Sequence, residues 1–87
     1  MSYNYEDHRE ALFTDQGQRD VITMLQHVES TLEVSGAIRM QEALSSLVDA
    51  SWHAVACVDR LHELGLIREI PQECTLLQNR VFVGVAK

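Results

Sequence analysis

The stretch Val58-Asp59-Arg60-Leu61-His62-Glu63-Leu64-Gly65-Leu66-Ile67-Arg68-Glu69-Ile70 changes its hydrophobic period at its centre. Up to Leu64 the apolar residues recur at the spacing of one helix face, and after Gly65 they follow the period of a strand. Glycine readily takes the left-handed conformation that ends a helix. The stretch therefore predicts a helix over about residues 50–64 that turns at Gly65 into a β-strand.

Two further helices are predicted upstream of this stretch. A first helix from about Asp15 to Glu33 is indicated by apolar residues spaced four, three and four apart, namely Val21, Leu25, Val28 and Leu32. Thr14 or Asp15 can cap its start, and Ser35-Gly36 ends it. A second, shorter helix fits Ala37 to Leu47.

A second strand is predicted over residues 79–85, because Pro71 stops the first strand and a β-rich run follows. Pro71 to Gln78 forms the loop between them. The predicted fold is α+β, mainly α, with a three-helix core and a C-terminal two-stranded β-hairpin. Residues 1–12 are expected to be a flexible N-terminal segment, and residues 13–87 a single domain.

Composition limits the classes of protein to consider. Hydrophobic residues make up 46% of the 87 residues and charged residues 23%, which is ordinary for a globular protein. Apolar residues never run for the roughly 18 positions that a membrane span needs, and the N-terminus lacks the apolar region of a signal peptide. We therefore expect no membrane partner, a cytoplasmic location, and free thiols at Cys57 and Cys74.

The order helix, short helix, helix, hairpin resembles that of winged helix-turn-helix domains over about residues 35–86. The most specific part is an apolar-x-x-Leu-x-x-Leu-Gly-Leu-Ile run, matched here by Val58, Leu61, Leu64, Gly65, Leu66 and Ile67. In that family the helix packs two leucines inward and the glycine turns the chain into the first wing strand. The resemblance implies a small bacterial-type regulator with a winged-helix fold.

The same resemblance implies DNA binding, with the third helix (about 50–64) in the major groove and the wing (about 66–85) beside it. It places the nucleic-acid-binding residues on the outward side of that helix and around the wing, at Arg39, Ser51, Trp52, His53, Ala56, Arg60, Arg68 and Arg80. It further implies a homodimer. This function is an analogy from the fold.

The charge distribution favours a different partner. The net charge is −6, and residues 1–33 hold seven acids against two bases, whereas residues 34–87 hold six against five. DNA affinity depends on several phosphate contacts from Lys or Arg, and the loop from Pro71 to Gln78 has no base. The alternative is an acidic protein-interaction module on the same scaffold; a third interpretation is a DNA mimic built on the acidic residues 1–33.

Trp52 bears on this choice. It either packs against the second helix or the wing, or stays exposed as a protein-binding hot spot.

Catalytic and metal-binding patterns are absent from the sequence. No Gly-rich phosphate loop, nucleophile elbow or paired-carboxylate arrangement is found. His53 and Cys57 share one side of the third helix, but their spacing to His62 and Cys74 is not that of a zinc motif. We expect no enzyme, no metal and no cofactor.

Overall fold

The computed structural model describes residues 3–47, 52–71 and 80–85. The helices are α1 (Tyr5–His8), a 3-10 helix (Glu10–Phe13), α2 (Asp15–Ser35), α3 (Met40–Leu44) and α4 (Trp52–Glu63). The strands are β1 (Ala37–Arg39), β2 (Ile67–Ile70) and β3 (Val81–Gly84). The predicted α+β, mainly α class is therefore confirmed.

Both predicted ends of α2 are confirmed by local geometry. The Thr14 side chain accepts a hydrogen bond from the Gly17 N–H at 3.0 Å and so caps the first turn. Gly36 ends the helix in the left-handed region at φ 78°, and its N–H donates to the Leu32 carbonyl. Of the predicted stripe of α2, Val28 is fully buried and Val21, Leu25 and Leu32 are partly buried. Met24, outside the stripe, is fully buried, so the core face is shifted towards Met24.

The second predicted helix is wrong over its first three residues. Ala37–Arg39 form a strand that pairs antiparallel with β3, giving a three-stranded sheet of order β1-β3-β2. Ile38 lies opposite Phe82, and both side chains are buried in the core. An open edge of β3 would leave its backbone groups unpaired, so this pairing outweighs local helix preference. Only Met40–Leu44 remain helical.

The change of period at Gly65 is confirmed. Gly65 has φ 76°, and β2 begins two residues later, pairing with β3 so that Glu69 lies opposite Phe82. The predicted wing loop falls almost entirely on residues 72–79, which lie outside the described residues, together with Cys74.

Leu64 departs from the inward packing that the resemblance implies. Leu61 is fully buried, but Leu64 is 49% exposed because α4 ends at Glu63 and Leu64 lies in the closing turn. One leucine, and not two, therefore anchors the end of α4 in the core.

The N-terminal segment, residues 3–13, differs from the flexible segment expected over residues 1–12. Its α1 turn and 3-10 helix contact α4, and Leu12 is 2% exposed in the core. Gly17 of α2 permits this approach, because a Cβ there would lie 2.6 Å from the Leu12 Cα and still closer to the Ala11 carbonyl oxygen. The segment is thus packed between α2 and α4.

Candidate functional site

Helix α4 is covered on all sides at its middle. Five consecutive residues, Ala54 to Val58, are each at most 2% exposed. At about 100° per residue, five consecutive positions pass completely around a helix. Ala56, which the sequence predicts to face outward as a nucleic-acid contact, is therefore buried, and that prediction is wrong. We define the outward face of α4 by Trp52, Asp59, Arg60 and Glu63, which surround Ala56.

The N-terminal segment lies on this outward face through polar side chains. The Tyr3 hydroxyl donates to Asp59 Oδ2 at 2.6 Å, and the Tyr5 hydroxyl donates to Glu63 Oε1 at 2.9 Å. Arg9 Nε lies 3.1 Å from Glu63 Oε2. Two carboxylates of α4 thus accept hydrogen bonds from three side chains of the segment.

Trp52 takes its neighbours from the same segment. Its ring meets the Tyr3 ring edge-on at a centroid distance of 6.5 Å and the His8 ring at 5.8 Å. Its exposed fraction is 36%. Within the described residues its aromatic neighbours come from residues 3–13, so Trp52 is partly covered by that segment and partly exposed, between the two predicted alternatives.

Arg60 is held by an acid of its own helix. Arg60 Nη1 donates to Glu63 Oε1 at 2.6 Å, and its guanidinium lies 4.9 Å from the centroid of the Phe13 ring. Hydrogen bonds from Arg60, Arg9 and Tyr5 lower the pKa of Glu63 to about 2. Burial and the bond to Glu63 raise the pKa of Tyr5 to about 12. The cluster therefore favours an ionised Glu63 and a neutral Tyr5.

Arg80 joins α4 to the sheet. Its Nη2 donates to Asp59 Oδ1 and to Glu69 Oε1, both at 2.8 Å, and its Nε donates to Glu69 Oε2. These bonds lower the pKa of Glu69. The Arg80 side chain is only 17% exposed. It is consequently a structural cation, with its charge already balanced by two acids.

The other predicted nucleic-acid contacts that the structure describes lie on the outward face of the sheet and at the start of α4. Arg39 and Arg68 are exposed on the outer edge strands of the sheet, and neither forms an ion pair within the described ranges. His53 Nε2 lies 2.8 Å from Asp20 Oδ2 of α2. Ser51 lies outside the described residues. The structure therefore does not bring the predicted arginines together as one free patch.

Cys57 is a buried thiol beside His53. Its Sγ lies 4.0 Å from His53 Nε2, and burial together with the Asp20 charge raises the pKa of Cys57 to about 12. A thiol held in its neutral form is a poor nucleophile and metal ligand. Across residues 3–47, 52–71 and 80–85, no group of three or more His, Cys, Asp or Glu side chains could hold a metal ion.

An apolar groove opens where the N-terminal segment, α2 and the end of α4 meet. Its volume is about 300 Å³, and it is lined by Leu12, Phe13, Gln18, Val21, Ile22, Arg60 and Leu64. Phe13, Ile22 and Leu64 are 46%, 55% and 49% exposed. Such a cluster of exposed, large apolar side chains is typical of an interaction site.

Sequence reasoning did not find this groove. Two signals were present, since Ile22 lies off the core stripe of α2 and Leu12-Phe13 is an apolar pair within a polar segment. What brings them together is the docking of residues 3–13 on α4, which joins positions more than 50 residues apart.

No family model, no curated protein and no solved structure matches the chain significantly. Of the helices in the described part of the chain, none has the length and apolar character to cross a membrane.

Proposed function

We propose that this protein is an acidic protein-interaction module whose apolar groove receives the apolar side chains of a basic amphipathic helix. The observation that carries the proposal is the groove itself, with Phe13, Ile22 and Leu64 half exposed around about 300 Å³. A helix that presents apolar residues at i, i+3 and i+4 is a common ligand for such grooves.

The net charge of residues 1–33, which supply most of the groove, supports a basic partner. Five of the seven residues that line the groove belong to this acidic part of the chain. In that part, the exposed acids without an ion pair to another described residue are Glu6, Asp7, Glu10, Asp15, Glu29 and Glu33. Opposite net charge steers a partner to the surface and raises its association rate.

A winged-helix scaffold is part of the proposal. The element order from α2 to β3 keeps the sequence helix, short helix, helix and hairpin, and β1 adds a strand to the hairpin without altering that order. This order supports the scaffold and is what favours a second candidate function, DNA binding through α4 and the wing.

DNA binding is less well supported by the charges. Two of the four candidate arginines, Arg60 and Arg80, already donate to carboxylates, and the N-terminal segment covers the outward face of α4. A phosphate would have to compete with those carboxylates, whereas a groove ligand meets an open apolar surface.

The test uses an 18-residue leucine–lysine peptide with leucines at i, i+3, i+4 and i+7, followed by fluorescence anisotropy. Ile22→Asp is expected to weaken binding at least about tenfold, because it places a charge in the groove. Val34→Asp is the matched control, since Val34 is an exposed residue of the same helix that does not line the groove. Both variants add the same charge.

Equal loss in both variants, or no saturable binding to the parent protein, would contradict the groove as the site. A 20-base-pair duplex tests the second candidate under the same conditions. A mobility shift that weakens with salt and is lost with Arg60→Ala would favour DNA binding instead.

A further inference from the structure

We propose that the apolar groove is a conditional site, which exists only while residues 3–13 are docked on α4 and which is dismantled when this segment leaves. The inference rests on the proposed function, because it concerns the regulation of the same groove. Undocking would also uncover the outward face of α4. The position of this segment would thereby determine whether the groove or the outward face of α4 is available for binding.

The groove is shared between the segment and the rest of the fold. Leu12 and Phe13 come from the segment, whereas Val21, Ile22 and Leu64 come from α2 and the end of α4. The Phe13 ring is stacked by the guanidinium groups of Arg9 and Arg60, at 5.0 and 4.9 Å from its centroid. Removing the segment therefore removes one wall of the groove.

The docked segment has one fully buried side chain among its described residues, Leu12, and its other contacts are exposed or partly buried. Helix α1 contributes no buried residue, and it is only four residues long. The bonds from Tyr5 and Arg9 to Glu63 are exposed at the surface, where ion pairs add little to stability, and the bond from Tyr3 to Asp59 is part-buried. Segments with few buried apolar contacts open at low free energy while the rest of the fold stays intact.

Leu12 holds the segment in the core, and its buried position depends on the absence of a side chain at Gly17. Leu12 is the one buried apolar residue of the 3-10 helix, at 2% exposure. The Gly17 position is so close to the Ala11 carbonyl and the Leu12 backbone that a methyl group would occupy their space. Those atoms are backbone, so the segment must move away as a unit.

Gly17→Ala is therefore an undocking variant that leaves the rest of α2 in place. Alanine is a better helix former than glycine and keeps the N–H that donates to Thr14. Gly84→Ala is the matched control, because the nearest heavy atom to a Cβ there is 3.9 Å away in the Leu32 side chain. Leu12→Ala is a second undocking variant that does not alter α2.

Trp52 reports docking directly, because it is the single tryptophan and lies against Tyr3 and His8. Gly17→Ala and Leu12→Ala are expected to shift its emission to the red and to increase its quenching by acrylamide. The same variants are expected to lose at least about tenfold in affinity for the leucine–lysine peptide. Gly84→Ala is expected to behave as the parent, and far-ultraviolet circular dichroism checks that all variants stay folded.

The outcomes separate this inference from the proposed function. Trp52 exposure together with peptide loss in both undocking variants supports the inference. Trp52 exposure with unchanged peptide affinity overturns the conditional groove and leaves the proposed function intact. Unchanged Trp52 fluorescence in folded Gly17→Ala and Leu12→Ala overturns undocking. A parent protein that does not bind the peptide contradicts the proposed function, and the dependence of the groove on the segment is overturned with it.

Discussion

The two sides of helix α4 are both covered, but by different means. The inward side, with Ala54, Val58 and Leu61, is apolar and fully buried against the core. The outward side is covered by residues 3–13 through hydrogen bonds from Tyr3 and Tyr5 to carboxylates. Burial of apolar side chains is the dominant favourable contribution to folding, whereas an exposed polar contact such as Tyr5–Glu63 contributes little, and the Tyr3–Asp59 bond is only part-buried.

The two coverings of α4 therefore have different consequences. The inward contacts fix the position of α4 in the fold. The outward contacts donate hydrogen bonds to the carboxylates of α4 and leave a groove at the rim, next to Phe13 and Leu64. A helix used for reading DNA would keep cations free on its outward side, but here Arg60 is paired with Glu63, and Asp59 is paired with Arg80, which directly precedes β3.

The largest effect is expected on the inward side. Leu61→Ala should lower the free energy of unfolding by about 2–5 kcal/mol, because it opens a cavity at a fully buried position. Leu64→Ala, at a half-exposed position three residues later, should cost less than about 1 kcal/mol. Urea denaturation followed by circular dichroism measures both, and equal losses would contradict the difference in burial.

The next effect is on stability, and it should differ between the paired Arg80 and the exposed Arg68. Arg80→Ala should cost about 1–3 kcal/mol of unfolding free energy, because it removes the Arg80 bonds to Glu69 and leaves the partly buried Asp59 with only the bond from Tyr3. Arg68→Ala should change stability by no more than about 0.5 kcal/mol, since Arg68 is exposed. Thermal unfolding of the two variants compares them. A neutral Arg80→Ala would show that the Arg80 network does not join α4 to the sheet.

Acid should weaken the outward covering before the inward one. The pKa of Glu63 is held at about 2, below its ordinary value of 4.5, so docking favours the ionised carboxylate. Its contribution is therefore present above pH 4.5 and is lost as the pH falls through about 2. Trp52 emission between pH 7 and pH 2 should shift to the red with this profile. Glu63→Gln should lack that step, and an identical profile in Glu63→Gln would assign the step to other groups.

The smallest effect is expected from single hydroxyl groups of the segment. Tyr5→Phe should raise the pKa of Glu63 slightly towards its ordinary value, because one donor is lost. It should cost less than about 1 kcal/mol in docking, because the bond to Glu63 is exposed. Acrylamide quenching of Trp52 measures it. A loss as large as that of Leu12→Ala would mean that polar contacts, and not Leu12, anchor the segment.

Features set by neighbouring residues were predictable from the sequence. The cap at Thr14, the helix end at Gly36 and the turn at Gly65 each depend on one residue and its local backbone. The buried side of α4 followed from its helical period, as Val58 and Leu61 show.

Features set by distant pairing were not predictable. Strand β1 exists because Ile38 finds Phe82 across 44 positions of the sequence, which outweighs the helical pattern around it. The burial of Ala56 and the groove both depend on residues 3–13 reaching α4, and no local pattern of that polar segment indicates the contact. The arginines were likewise visible in the sequence, but their carboxylate partners were not.

Docking of residues 3–13 on α4 is tested most directly by a nuclear Overhauser measurement between the two in solution. Docking of residues 3–13 predicts cross-peaks from the Tyr3 ring to the Trp52 indole and from the Phe13 ring to the protons of its neighbours in the groove. Absence of these cross-peaks, together with random-coil chemical shifts for residues 3–13, would contradict the account.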